Sequence, residues 1–157
     1  MQEKKIVVRF QETNQIDQFN EEIQTLISQT KAFSANAYAP YSNFKVSAGL
    51  VLDNGEIIKG TNVENASYPV SICAERTLLS HAVSNYPNNV IKTMAVYVDK
   101  AIGSPVSPCG VCRQTLLEIE LKQKSPIQLI LVSKEGVYWI FDSAKDLLPV
   151  YFDGEAL

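Results

Sequence analysis

The chain has 157 residues, 46% of them apolar and 20% charged, with a formal net charge of −3. That suits one domain with a buried core, expected to span residues 1–157, and argues against a polynucleotide partner, which calls for a basic face. No apolar run approaches the roughly 18 residues of a membrane span, and Met1-Gln2-Glu3-Lys4-Lys5 lacks the apolar core of a signal peptide, so a cytoplasmic location is expected.

In chain order, Lys4–Gln11 alternates, with Ile6, Val8 and Phe10 on one face, and predicts a strand. Asn14 is placed to cap a helix whose apolar face, Ile16, Phe19, Ile23, Ile27, Thr30 and Phe33, continues to about Ala37 before Pro40. Lys45–Leu52 and Glu56–Gly60 flank Asp53-Asn54-Gly55, a strong hairpin signal. The polar segment Thr61–Ser71 reads as a loop. A second helix is predicted over Cys73–Asn85, with Ser71 available as a cap and Pro87 beyond its end.

Lys92–Asp99 predicts a strand, Ala101–Pro108 a loop, and Gly110–Lys122 a third helix. Ile127–Val132 is a continuous apolar run expected at the centre of a sheet. Val137–Phe141 is a further strand, followed by a short helix capped by Asp142 or Ser143. This order implies one α/β domain, a mixed sheet with helices on both faces and a parallel crossover between Lys92 and Val132.

The cysteines are three in number, Cys73, Cys109 and Cys112, which suits metal binding or catalysis better than a disulfide framework. The pair in Pro108-Cys109-Gly110-Val111-Cys112-Arg113 is by itself ambiguous, since redox motifs and structural zinc sites share the spacing. Cys73 opens the second predicted helix as Cys109 and Cys112 open the third. If the two helix starts meet, three sulfurs converge where both helix dipoles favour thiolate. The only histidine, His81, lies about 12 Å along the helix from Cys73 at 1.5 Å per residue, and reads as a partly buried helix residue.

A closed zinc site needs four protein ligands, whereas a catalytic one keeps a position for water. Three sulfurs with no fourth partner therefore favour an enzyme. Glu75 sits two residues after Cys73, where it either favours the first turn of a helix or carries protons for hydrolysis. Arg76 is either a surface cation or a donor that offsets the negative charge of three thiolates. A redox role for Cys109 and Cys112 would leave Cys73 and Glu75 unexplained.

Cys73-Ala74-Glu75 followed by Pro108-Cys109-Gly110-Val111-Cys112 is the three-cysteine form of the zinc deaminase signature. With Tyr41-Ser42-Asn43-Phe44, Asn62-Val63-Glu64-Asn65-Ala66, Ser67-Tyr68-Pro69, Ser107–Gln114 and Leu147-Leu148-Pro149, the chain resembles the small homotetrameric cytidine deaminases from Ala39 to about Phe152. The resemblance implies a three-layer αβα sandwich on a five-stranded mixed sheet, to which the N-terminal strand would be an addition. It also implies one Zn²⁺ per subunit held by Cys73, Cys109 and Cys112, with Glu75 as proton shuttle. Phe44, Asn62, Glu64 and Ala74 would contact a nucleoside, Asn62 and Glu64 through its ribose, and Phe152 would reach a neighbouring subunit's site.

The implied reaction is deamination of cytidine and deoxycytidine to uridine and deoxyuridine in pyrimidine salvage. A zinc deaminase for a modified nucleoside and a non-catalytic zinc protein used for assembly are the competing readings. The chain departs from the family at Ser47 and Ser71, where many relatives have glycine, a change expected to tighten the pocket floor or alter the loop before Cys73. Val150-Tyr151 also differs, since smaller residues are usual there.

Overall fold

The strand Ile91–Val98 is apolar on both faces, which calls for cover on both sides of the sheet. Met94 and Val96 point into one core and Ala95 and Tyr97 into the other. The same alternation splits Gln128–Val132, with Leu129 and Leu131 on one side and Ile130 and Val132 on the opposite one. A computed structural model describes residues 1–154, so the last three residues of the expected 1–157 domain lie outside the described residues.

The elements are β1 (Gln11–Thr13), α1 (Glu21–Phe33), β2 (Val46–Leu52), β3 (Ile57–Thr61), α2 (Ala74–Asn85), β4 (Ile91–Val98), α3 (Gly110–Gln123), β5 (Gln128–Val132) and β6 (Tyr138–Phe141). One sheet holds all six strands in the order β1-β6-β5-β4-β2-β3. Only β4 and β5 pair in parallel, from Thr93 opposite Gln128 to Tyr97 opposite Val132. Ile23, Leu26 and Ile27 of α1 cover one face; Leu78 and Leu79 of α2 and Leu116 and Ile119 of α3 cover the other. The expected αβα sandwich is therefore present, with six strands rather than five because the short β1 joins the same sheet. Among the described residues no helix is long and apolar enough to cross a membrane.

Strand directions place the helix starts. β3 and β4 both run antiparallel to β2, so they point the same way. Each is followed by a helix on the same face, and both helices therefore begin at the same end of the sheet. Gly60 lets α2 lie close: a Cβ there would stand 3.0 Å from the Leu78 Cβ and amide nitrogen and 3.2 Å from the Ala74 carbonyl. At the far end of α3, buried Glu120 accepts from the amides of Ile127 (3.0 Å) and Ala144 (2.9 Å) and from the Ser143 hydroxyl. That carboxylate ties α3 to the start of β5 and to the 3₁₀ turn Ala144–Leu147.

Several boundaries differ from the sequence expectation. The strand expected over Lys4–Gln11 is only Gln11–Thr13. With Gln11 opposite Ile140, residues before Phe10 run past the end of β6 and have no ladder partner. Ile6 and Val8 are exposed, and the Phe10 ring stacks on Phe141 and lies tilted against Trp139, with centroids 5.1 Å away in each case. The cap of α1 is Asn20, which accepts from the Ile23 amide at 2.9 Å, and not Asn14. Residues Ile16–Gln18 and Ser34–Asn36 form separate 3₁₀ turns at either side of it.

Ser71 does not cap α2, because its hydroxyl accepts from the Asn65 amide (3.0 Å) and Cys73 occupies the cap position. Ser143 holds the cap position of the last turn, but its hydroxyl is given to Glu120. The hairpin forms as expected, with Gly55 at φ +83° and Asn54 accepting from the Glu56 amide.

Exchanging glycine for alanine usually stabilises a compatible site by reducing unfolded-chain entropy. At Gly60 the sign reverses, because backbone atoms rather than a flexible side chain meet the new methyl. Gly60→Ala is expected to destabilise the protein by about 1–3 kcal/mol. Thermal denaturation checks this, and a midpoint at or above that of the unsubstituted protein would contradict the close approach of α2.

Candidate metal and catalytic site

Cys73 and Cys109 are the cap residues of α2 and α3, with extended backbones at φ −72°, ψ 152° and φ −66°, ψ 166°. Neither sulfur caps its own helix, so both are available to a shared ligand. Cys112 follows in the first turn of α3 and is buried. The Cys73 and Cys109 sulfurs are 3.9 Å apart, those of Cys109 and Cys112 3.5 Å apart, and all three lie within 4.8 Å of one another. Tetrahedral zinc with bonds of about 2.3 Å to sulfur separates its ligands by about 3.8 Å. The thiol set fits that ion in both chemistry and spacing, and all three cysteines are free.

Protons on the sulfurs point the same way. The Cys112 thiol hydrogen-bonds Cys73 and draws its pKa down to about 6, with the Arg76 charge contributing less. The same contact, with burial, pushes Cys112 far above the ordinary thiol range. One sulfur ionises readily at the expense of its neighbour. A divalent cation held by the three sulfurs would relieve that conflict, since it takes all three as thiolates. Arg76, read as either a surface cation or a donor to the sulfurs, acts on Cys73 through its charge: among the described residues no sulfur accepts a hydrogen bond from it. His81 is exposed rather than half-buried, and its Nδ1 lies 3.1 Å from the Asn85 amide nitrogen.

Glu75 is the second residue of α2 and is 5% exposed. Burial raises its carboxyl above the ordinary carboxylate range. It lines a cavity of about 540 Å³ together with Cys73, Cys109 and Ala74. Phe44, Val46, Val96, Val98 and Val106 supply apolar walls, and Asn62 and Glu64 stand among its polar groups. This mix of apolar walls and few polar groups, at this size, suits a small organic ligand.

Asn62 and Glu64 are both in the wall, and both also organise it. Asn62 accepts from the Val46 amide (2.9 Å) and donates to the Phe44 carbonyl (2.8 Å). Glu64 accepts from the amides of Tyr41 (2.8 Å) and Ser42 (3.2 Å) and from the Ser42 hydroxyl, which holds its carboxyl below the usual range. The segment 41–44, with Asn43 at φ +55°, is thereby folded against the cavity and presents Phe44 to it. Phe152 is exposed and does not line this cavity; its carbonyl accepts from Gln114 Nε2 at 3.0 Å. Ser71 lines the cavity as expected, whereas Ser47 is buried against α1, donating to the Thr30 carbonyl at 2.6 Å.

Sequence reading missed Arg113. Its guanidinium donates to the Pro108 carbonyl, the Ser107 hydroxyl and the Leu147 carbonyl. Only its place next to Cys112 hinted at a role. Its partners are a loop before the helix and a segment 34 residues further on.

Residues 20–125 match the family model described as the cytidine and deoxycytidylate deaminase zinc-binding region. The chain is 44% identical over 96 residues to the cytidine deaminase of Halalkalibacterium halodurans, covering 61% of this chain and 70% of that protein. It is 39% identical over 100 residues to the cytidine deaminase of Mycoplasma pneumoniae, covering 64% and 71%. The crystal structure of cytidine deaminase from Burkholderia pseudomallei superposes with a TM-score of 0.72 at 40% identity, covering 82% of this chain and 97% of that one. That of Mycobacterium tuberculosis gives 0.65 at 28% identity, over 85% and 99%. With its fold, its triad of sulfurs and the matched region in agreement, the chain belongs to the zinc-binding cytidine and deoxycytidylate deaminase family.

Proposed function

We propose that the protein hydrolyses cytidine and deoxycytidine to uridine and deoxyuridine, releasing ammonia in pyrimidine salvage. The observation that carries this reading is the placement of buried Glu75 in the same cavity wall as Cys73 and Cys109, beside a triad of sulfurs suited to zinc. Cys73, Cys109 and Cys112 would hold one Zn²⁺ per subunit. Bound there, the ion supplies Lewis acidity, which brings the pKa of a water ligand toward about 7.

Glu75 takes one proton from the attacking water and delivers it to N3 of the base as the bond from oxygen to C4 forms. It then carries the remaining hydroxyl proton to the 4-amino nitrogen. The C4–N bond breaks with its electron pair on nitrogen, and ammonia leaves. Burial suits this work, since raising the carboxyl makes it a stronger base for the water proton while leaving it able to return that proton. The apolar walls around Val96 and Val98 keep bulk water from the ring.

Asn62 and Glu64 are assigned to the ribose hydroxyls. A carboxylate has about four acceptor sites and a primary amide two donors and two acceptors, so both keep capacity beyond the bonds they make to the backbone. Phe44 and Ala74 lie against the nucleoside. Phe152, exposed and outside its own chain's cavity, fits a homotetramer in which each subunit lends that ring to a neighbour's site. A single domain over residues 1–157, located in the cytoplasm, completes the assignment.

Glu75→Ala is expected to lower ammonia release by at least about 10²-fold, the usual worth of a positioned acid–base group, with zinc content unchanged. Near-normal turnover would remove Glu75 from the chemistry. Cys109→Ala should lose zinc and activity together, and full zinc by elemental analysis in that variant would remove it from the ligand set. Among cytidine, deoxycytidine, cytosine, adenosine and cytidine 5′-phosphate, ammonia should come from the first two; turnover of adenosine alone would overturn the substrate assignment.

A further inference from the structure

Two consecutive side chains on α3 are not used by the reaction, yet they join two parts of the chain near the metal ligands. Arg113 Nε donates to the Pro108 carbonyl (2.8 Å), Nη2 to the Ser107 hydroxyl (2.9 Å) and Nη1 to the Leu147 carbonyl (3.0 Å). Gln114 Nε2 donates to the Phe152 carbonyl (3.0 Å). The loop that delivers Cys109 and the segment 147–152 are thus pinned to one turn of one helix.

Cys109 is the ligand that needs such help. Cys112 is buried within α3; the carbonyls of Cys73 and Cys109 each accept from the amide four residues on, Thr77 and Arg113, at 3.0 Å, and the Thr77 hydroxyl adds a second bond to Cys73 (3.2 Å). Cys73 and Cys109 are both cap residues, and Cys109 is the exposed one of the three cysteines. The Pro108 carbonyl belongs to the planar peptide unit that contains the Cys109 nitrogen. Fixing its oxygen fixes the rotation of that unit, and so the direction in which Cys109 projects its sulfur. Three acceptors set at different angles call for the planar fork of arginine; a lysine ammonium on the same stem is a point charge without that fixed geometry.

We propose that Arg113, seconded by Gln114, is a positioning residue that couples order in the segment 147–152 to the placement of Cys109 as a metal ligand. The proposal rests on the reading that the three cysteines hold zinc. Coupling of this kind is reciprocal: zinc steadies the segment that carries Phe152, and an ordered segment slows the loss of zinc.

The test uses full-length, zinc-loaded wild type, Arg113→Lys, Gln114→Leu and Ile27→Ala. Ile27 is buried on α1 across the sheet, so its variant reports plain destabilisation. The readouts are the rate of zinc transfer to a chelating dye and hydrogen exchange of the peptide covering 147–152, with and without zinc. Arg113→Lys should lose zinc roughly tenfold to hundredfold faster, the usual effect of removing support around a metal ligand. Gln114→Leu should raise exchange in 147–152 and quicken zinc loss to a smaller degree. Ile27→Ala should lower the melting temperature without quickening zinc loss.

Zinc transfer from Arg113→Lys at the wild-type rate, or an equal acceleration in Ile27→Ala, would overturn the coupling. So would exchange in 147–152 that ignores zinc in the wild type. Where Arg113→Lys does not fold, Gln114→Leu decides by the same rates. A wild-type protein that holds no zinc overturns the metal reading itself, which separates that failure from a failure of the coupling.

Discussion

The parallel sense of β3 and β4 is the constraint on which the site depends. β2 lies between them and runs the opposite way, so both strands end at the same edge of the sheet. The helices that follow must start there and return along the same face. Two helix N-termini are brought together, each headed by a cysteine, and the first turn of α3 adds a third sulfur. The dipoles of α2 and α3 present their positive ends where thiolate charge gathers, which lowers the cost of ionising sulfurs that repel one another. Had β3 and β4 run in opposite directions, Cys73 would sit about a strand's length from Cys109.

Burial then divides the labour among the titratable groups. Cys73 ionises readily because Cys112 donates to it, and Cys112 holds its proton because it does so within the protein. Glu75, two residues from Cys73, is raised by burial alone as its leading cause. Groups of ordinary chemistry are therefore made unequal by their depth and by their neighbours, which is how one small site can hold a cation and move protons beside it.

The cavity's polar wall is built by the same residues that would read the ligand. Asn62 continues a strand-like pairing with the start of β2, and Glu64 gathers the amides of Tyr41 and Ser42. Those bonds hold both side chains in place without a ligand, so a ligand bound there would find little left to order. Among the described residues every buried side-chain nitrogen or oxygen has a partner, including Glu120 with its three donors.

The sequence alone determined the elements whose cause is local. The period of apolar residues in 73–85 and 110–122, the Asn54-Gly55 turn and the apolar run ending at Val132 act within a few residues, and each element formed close to where its pattern lies. The convergence of the three sulfurs was legible too, since each cysteine stands at the start of a predicted helix, and they lie within 4.8 Å of one another. Tertiary structure decided what depends on partners remote in the chain. The alternation of Lys4–Gln11 is a true strand pattern, yet the register with β6 leaves it nothing to pair with before Phe10. Ser71 and Ser143 have cap chemistry, but Asn65 and Glu120 engage their hydroxyls. Arg113 had only its place beside Cys112 to mark it, because one of its acceptors, the Leu147 carbonyl, comes within reach only in the closed fold.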